Sequence, residues 1–506
     1  MQISRTEKYL SLVLGSLENT LVPNLASHDA KATAGIMKAV LLDLMKREHY
    51  TPRLLAEHLA EGRALAQRIA ASVDEFGADE PNAASPALLS AADAAAGFDA
   101  LAERHRDLTE RIADLANRLV ILRSKASDAT RQRQISTLLH EAARWEYAYY
   151  AGQRDAAIPP APAPAGYKGG APLDRCTLQA FLRTQHPDGE RCEVESFESI
   201  PGGFGKQTFR VVVKTAAGHR QALIVRKSDP TPMVVYGGFL IEHEFHLLKD
   251  LFASGMPVAE PLYLGVDVEG VDADFYVMTT LPGKVAGAFL DAASAVIPES
   301  VILHMAELLA RLHKLPLAAY AGYLARFGPP GASTETIGSC YRRSIGEWRT
   351  YYENGDHLPS PFVTYMLDWL EQHVPADARS PVLVHGDFNI HNVLTADGRV
   401  TGVLDWECAM FGAPEQDLAY MKPIISKHIE WDRFLGHYRG CGGSAIDAEA
   451  MGFYMAFSAM RLNIVFNKGT RNLQQGITRD IRYALVETAL ATEFMKLALA
   501  STSIGI

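Results

Sequence analysis

The stretch "AIPPAPAPAGYKGGAP", residues 157–172, constrains this chain most, because it suits neither a helix nor the middle of a sheet. Its prolines lack backbone donors and favour extended, semi-stiff chain, and the glycines that follow permit a turn. It divides the 506 residues into two parts of different texture. A chain of that length exceeds one ordinary core, so two or three domains are expected.

Residues 1–156 read as helix. "DLTERIADLANRLVILR" sets Leu108, Ile112, Leu115, Leu119 and Leu122 at alternating steps of four and three, which is one apolar face. "YLSLVLGSLENTLVPNL" and "AGIMKAVLLDLM" are apolar over wider arcs, as in helices packed on more than one side. An all-α bundle is expected here, without catalytic spacing and with its His and Glu residues on solvated faces. It reads as a docking or oligomerisation module, pairing with a second copy or a protein partner.

Beyond the linker the texture turns to short strands. "QTFRVVVKT" (207–215) and "QALIVRK" (221–227) are β-branched runs joined by a turn at Gly218, a hairpin pattern. The helix "IEHEFHLLKDLFAS" and the strand "DFYVMTTL" (274–281) follow, and helices dominate from about residue 283. The second part therefore divides into a β-rich lobe, 173–282, and a larger helical lobe, 283–506.

Composition narrows the partners. A net charge of −10 offers no electrostatic reason for nucleic acid or an anionic membrane. The five cysteines are scattered without CxxC spacing, which suits a reducing compartment and no zinc site. No long apolar run follows Met1 and none approaches a membrane span, so a cytoplasmic location is expected.

The chemistry lies in "LVHGDFNIHNVL" (383–394) and "GVLDWE" (402–407), where polar side chains crowd the end of a strand. Such a cluster is costly to bury unless its members pair or hold something. Asp387 and Asn392 stand in a D-x4-N spacing, and Asp405 lies thirteen residues further on. Two carboxylates and an amide oxygen are hard donors of the kind Mg²⁺ takes, with positions left for phosphate and water. One Asp to accept the proton of an attacking hydroxyl, plus Asn and Asp for metal, is what phosphoryl transfer on a kinase-like scaffold requires.

"LVHGDFNIHNVL…GVLDWECAMFGAPEQDLAY" resembles the aminoglycoside phosphotransferase family, over roughly residues 190–500. The resemblance implies an α+β, protein-kinase-like two-lobed fold behind the all-α bundle. It implies an ATP- or GTP- and Mg²⁺-dependent kinase of a small-molecule hydroxyl. Asp387 would be the catalytic base, Asn392 and Asp405 the metal ligands, and Asp417 a support for the catalytic loop. His385 would pack and hydrogen-bond within that loop. His391, between base and ligand, and Glu407, facing either the metal site or the next turn, stay open.

Upstream, Gly202, Gly203 and Gly205 in "SIPGGFGKQTF" would let backbone approach the phosphates. In "LIVRK" the position of the kinase lysine falls on Arg226, with Lys227 as the alternative, since strand neighbours face opposite ways. Glu244 would be its ion-pair partner, with Glu242 as competitor, and backbone around Met278, Thr279 and Thr280 would meet a purine base. In this family the C-terminal helices build the acceptor site. Residues 421–506 carry ten cations against seven anions, a poor match for a polycationic aminoglycoside. "SCYRRSIGEWRTYYE" (339–353) is similar to the branch that acts on hydroxyacyl-CoA. The competing readings are an antibiotic O-phosphotransferase, a pseudokinase scaffold working through its bundle, and a nucleotidyl transferase.

Overall fold

The computed structural model describes residues 14, 17–25, 27–77, 98–153, 171–200, 205–234, 237–287, 296–331, 334–475, 477, 486 and 490–502. Most of the Pro/Ala linker lies outside them. The chain separates into two units, one of residues 1–165, 345–373 and 459–506, the other of 166–344 and 374–458.

The first unit is helical. Its long helices are α1 (His28–Phe76), α2 (Phe98–Lys125) and α3 (Ala129–Gln153). The predicted stripe on α2 is buried at Leu108, Ile112 and Leu119, where it meets α1 and α3. Helices that the sequence reading placed in the helical lobe also group here, because their apolar character extends all round. Residues Pro361 to Leu370 of the helix Pro361–Gln372 are buried without a break, and that helix packs on α2 and α3. The buried Arg123–Asp368 ion pair and Glu146 fasten it; the Glu146 carboxylate accepts from Ser360 Oγ at 2.8 Å and Phe362 N–H at 2.7 Å.

The expectation that the bundle's His and Glu residues face solvent is corrected at four positions: His58, His105, His140 and Glu146 are buried. His58 stacks on Trp145 with ring centroids 4.5 Å apart, and His105 stacks on Tyr149 at 4.1 Å. Burial, with His105 nearby, depresses His58 to about 3, and burial holds His105 at about 4. Both rings are therefore neutral members of the core at neutral pH.

The second unit carries a five-stranded antiparallel sheet of β1 (Glu193–Ile200), β2 (Lys206–Lys214), β3 (Arg220–Ser228), β4 (Pro261–Gly265) and β5 (Phe275–Thr279), in the order β1-β2-β3-β5-β4. The predicted β2–β3 hairpin is present, and Gly218 turns it at φ +81°. The helix α4 (Ile241–Ala253) follows β3 and buries Phe245, Leu248 and Leu251 in a core shared with Trp406 and Leu418. Short strands β6 (Lys284–Val285), β7 (Val382–Val384), β8 (Val393–Ala396) and β9 (Arg399–Val403) follow, the last three framing the polar motifs. Among the described residues no helix is long and apolar enough to cross a membrane.

Gly62 on α1 tests the bundle packing. A Cβ there would sit 2.6 Å from the Trp145 indole. In an open helix Gly→Ala gains about 1 kcal/mol, but overpacking of this kind costs about 1–3 kcal/mol. Gly62→Ala should therefore lower the thermal midpoint, and a raised midpoint would contradict this packing.

Candidate active site

The loop after β7 is built around a buried carboxylate. Asp417, fully buried near the start of the helix Pro414–Ile425, accepts the N–H of His385 at 2.8 Å and of Gly386 at 2.7 Å. His313 Nε2 lies 3.2 Å from the same carboxylate. Gly386 holds φ +78°, and a Cβ there would meet Cys408 O at 2.3 Å, so only glycine fits. The His385 ring accepts the Asp387 N–H at Nδ1 (3.2 Å) and donates from Nε2 to Leu404 O (2.9 Å), a bridging role inside the loop.

These contacts aim Asp387 and Asn392 at each other. Asn392 Nδ2 donates to Asp387 Oδ2 at 2.8 Å and to its backbone O at 2.9 Å. His391 Nε2 stands 3.5 Å from Asp387 Oδ1. Burial pushes the Asp387 carboxyl up, but hydrogen bonding and charge from His391, helped by Tyr420 and His385, outweigh it and hold the group below its ordinary value. Asp387 is thus ionised at neutral pH. The Leu404 N–H donates to Asn392 O at 2.8 Å, which ties the end of β9 to this loop just before Asp405. Asp405 itself sits in the left-handed region at φ +65°.

A second group of charges meets Asp405. Arg226 on β3 ion-pairs with Asp405 through Nη2 and with Glu244 of α4 at 3.1 Å through Nε. Glu244 is buried, whereas Glu242 is partly exposed and lies 4.0 Å from His246. Lys227 faces the other way, fully buried and 2.7 Å from Asp272. Glu407 faces this cluster rather than the next turn.

Sequence reasoning missed Lys206. It is buried at the start of β2, with Nζ 2.5 Å from Glu407 Oε2 and 3.4 Å from Glu244 Oε2. A signal existed: Thr208 pairs with Arg226 across the hairpin, and alternation puts Lys206 on the Thr208 face. Burial opposes the charges of Arg226 and Lys206, but their carboxylates win and raise both pKa values. Burial also works against the Glu244 carboxylate, and Arg226 and Lys206 overcome it. Burial pushes Glu407 up to about 7 against the pull of Lys206, with Asp405 adding to the rise.

Of the glycines, Gly202 and Gly203 lie outside the described residues, and Gly205 turns into β2 at φ +79°. Met278 and Thr279 belong to β5, where the Thr279 N–H donates to Glu260 O at 2.9 Å, so that donor serves the sheet edge rather than a base. Thr280 Oγ1 reaches Ala222 O at 3.5 Å. A divalent cation would find oxygen donors in Asp405 and in the side-chain carbonyl of Asn392, whose amide nitrogen is turned to Asp387. These are oxygen ligands of the hard kind, so a small oxygen-seeking cation fits them. Among the described residues no three His, Cys, Asp or Glu side chains converge in metal-binding spacing.

Removing the Asp417 charge tests this account. Asp417→Asn turns an acceptor into a donor beside a backbone N–H, and losing such a charge-assisted bond costs about 1.5–3 kcal/mol. The expected variant melts earlier and loses transfer rate more than nucleotide affinity. Wild-type melting would contradict the anchor.

The phosphotransferase enzyme family model matches residues 196–450, half of the chain. "Acyl-CoA dehydrogenase family member 11" of Gallus gallus is 34% identical over 205 residues, covering 40% of this chain and 25% of that protein. The Homo sapiens protein of the same name is 28% identical over 255 residues, 49% of this chain and 30% of that one. The chain thus spans only a quarter to a third of these relatives. "Hygromycin-B 4-O-kinase" of Escherichia coli is 31% identical over 122 residues, 24% of this chain and 36% of that one. Among solved structures, spectinomycin phosphotransferase APH(9)-Ia in complex with ADP and spectinomycin aligns with a TM-score of 0.43 at 13% identity, over 65% of this chain and 99% of that one. The α+β, kinase-like architecture expected from the motifs is the one this family domain adopts. The chain belongs to the phosphotransferase enzyme family.

Proposed function

We propose that this phosphotransferase moves the γ-phosphoryl group of ATP or GTP to a hydroxyl of a small molecule, with Mg²⁺ as cofactor. The observation that carries the reading is that Asn392 pairs with Asp387 while its backbone ties in Leu404, just before the Asp405 that meets the Arg226–Glu244 ion pair. Asp387, ionised and steadied by Asn392, accepts the proton of the attacking hydroxyl. Arg226, a charged fork on β3, grips phosphate oxygens, and Glu244 sets its direction. Asn392 and Asp405 hold the divalent cation, which neutralises charge on the phosphates when bound. Gly202, Gly203 and Gly205 serve the phosphates, and the backbone around Met278–Thr280, apart from the engaged Thr279 N–H, serves the base edge. The helical residues 1–156 are assigned to docking or oligomerisation.

For the acceptor we favour a hydroxy acid or hydroxyacyl-CoA, because relatives that match 40–49% of this chain carry acyl-CoA dehydrogenase names. The cation excess of the tail does not add to this. Lys468 Nζ donates to Gly355 O at 2.6 Å and Asp356 O at 2.9 Å, Arg471 pairs with Asp356, and Arg461 lies over Trp348. These cations hold their own unit together. An antibiotic O-phosphotransferase is the second reading, favoured by the match to hygromycin-B 4-O-kinase.

The direct test is thermal unfolding with ATP, GTP and ADP, each with and without Mg²⁺. A ligand at 100 times its Kd stabilises by about 2.7 kcal/mol, which shifts the midpoint by a few degrees. A Mg²⁺-dependent shift is expected, and no shift with any nucleotide would defeat the reading. Phosphate uptake into hydroxyacyl-CoA esters or into hygromycin then separates the two acceptors. Asp387→Ala should abolish transfer and keep Mg²⁺-nucleotide binding. Asp405→Ala should lose that binding, and unchanged affinity would remove its ligand role.

A further inference from the structure

Five charged side chains share the site: Lys206 and Arg226 against Glu244, Asp405 and Glu407. Lys206 is 4% exposed and Glu244 2%. Arg226 divides itself, Nε to Glu244 and Nη2 to Asp405, with Glu407 Oε2 at 3.7 Å. Asp405 cannot give its oxygen fully to a divalent cation while Arg226 holds it, and the cation repels the guanidinium. Nucleotide binding therefore moves Arg226 from Asp405 toward phosphate. Arg226 then divides between phosphate and Glu244, and a buried carboxylate short of positive charge is costly, so something must complete the pairing of Glu244 and Glu407 at that moment. Lys206 is placed to do it, within 3.4 Å of one and 2.5 Å of the other. The receiving carboxylate is itself fixed, since Trp406 is buried and a Cβ on Gly238 would sit 3.1 Å from Glu407 O.

We infer that Lys206 is a positioning residue of the nucleotide site, which keeps Glu244 and Glu407 paired when Arg226 exchanges Asp405 for phosphate. The inference rests on the kinase reading above. It differs from a purely structural role in one respect: the demand on Lys206 rises when a metal claims Asp405 and Arg226, 3.7 Å from Glu407 in this structure, turns to phosphate. In metal-free solution Arg226 stays at Asp405 and Glu244, within 3.7 Å of Glu407, and shares the carboxylates with Lys206.

The experiment is calorimetric titration of the full chain with ADP, in Mg²⁺ and in EDTA. For Lys206→Met the expected result is about a tenfold loss of Mg²⁺-ADP affinity with less than about a twofold loss for metal-free ADP. Lys206→Arg, which keeps the charge, should recover most of the loss. The double variant Lys206→Met with Glu407→Gln should bind no worse than Lys206→Met alone, because one of the two carboxylates that Lys206 served is gone. Lys206→Gln carries the same expectation should the methionine variant not fold. Equal losses with and without Mg²⁺, or strictly additive losses in the double variant, would overturn the inference and leave the kinase reading standing. Wild-type protein that binds neither form of ADP would overturn both.

Discussion

The buried carboxylate of Asp417 is the interaction on which the site depends. It takes two consecutive backbone N–H groups, from His385 and Gly386, and so sets the direction in which the chain leaves β7. Gly386 can follow that direction because it has no Cβ to meet Cys408 O. The peptide then delivers Asp387 into the hydrogen bonds of Asn392, and Asn392 O in turn fixes Leu404. One side chain thereby determines where Asp387, Asn392 and Asp405 stand. Charge-assisted bonds to backbone are stronger and more directional than neutral ones, which suits an anchor.

The neighbouring cluster follows a different logic. Ion pairs withdrawn from water gain little net stability, because desolvation offsets their attraction, yet losing one partner is expensive. A fold gains little by concentrating Lys206, Arg226, Glu244, Asp405 and Glu407 in one place. A phosphate site would gain, since a cation already desolvated, such as Arg226, need only exchange one carboxylate for phosphate when charge arrives. The odd count, two cations against three carboxylates, leaves the cluster short of positive charge, a balance that a divalent ion reverses.

Much of this was legible in the sequence where the signal is local. β-branched runs around a glycine turn located β2 and β3, the steps of four and three located α2, and motif spacing located Asp387, Asn392 and Asp405. Likeness to the kinase pattern favoured Arg226 over Lys227 and Glu244 over Glu242, and Arg226 and Glu244 ion-pair here. Lys206 escaped because its meaning depends on pairing between strands, not on its own neighbours. The bundle histidines escaped for another reason. His58 follows Leu55 by three and precedes Gly62 by four, and His105 lies between Leu101 and Leu108 at the same steps. The stripe included them, but a polar residue type was read as a solvated one.

The C-terminal cations show the same difficulty at longer range. Their excess over acidic residues is real as composition, and a summed charge legitimately describes a field acting over many ångströms. Recognition at contact distance depends instead on which charges are still available. Arg461 lies over the Trp348 ring, and Lys468 and Arg471 reach back more than a hundred residues to Gly355 and Asp356. Asp356 holds φ +59° in that turn, a conformation that favours few residues, and the two cations satisfy the carbonyls and carboxylate it presents. Once those three are assigned to their own unit, the tail's apparent preference for an anionic ligand loses its basis. A charge already paired within the protein carries little information about the substrate.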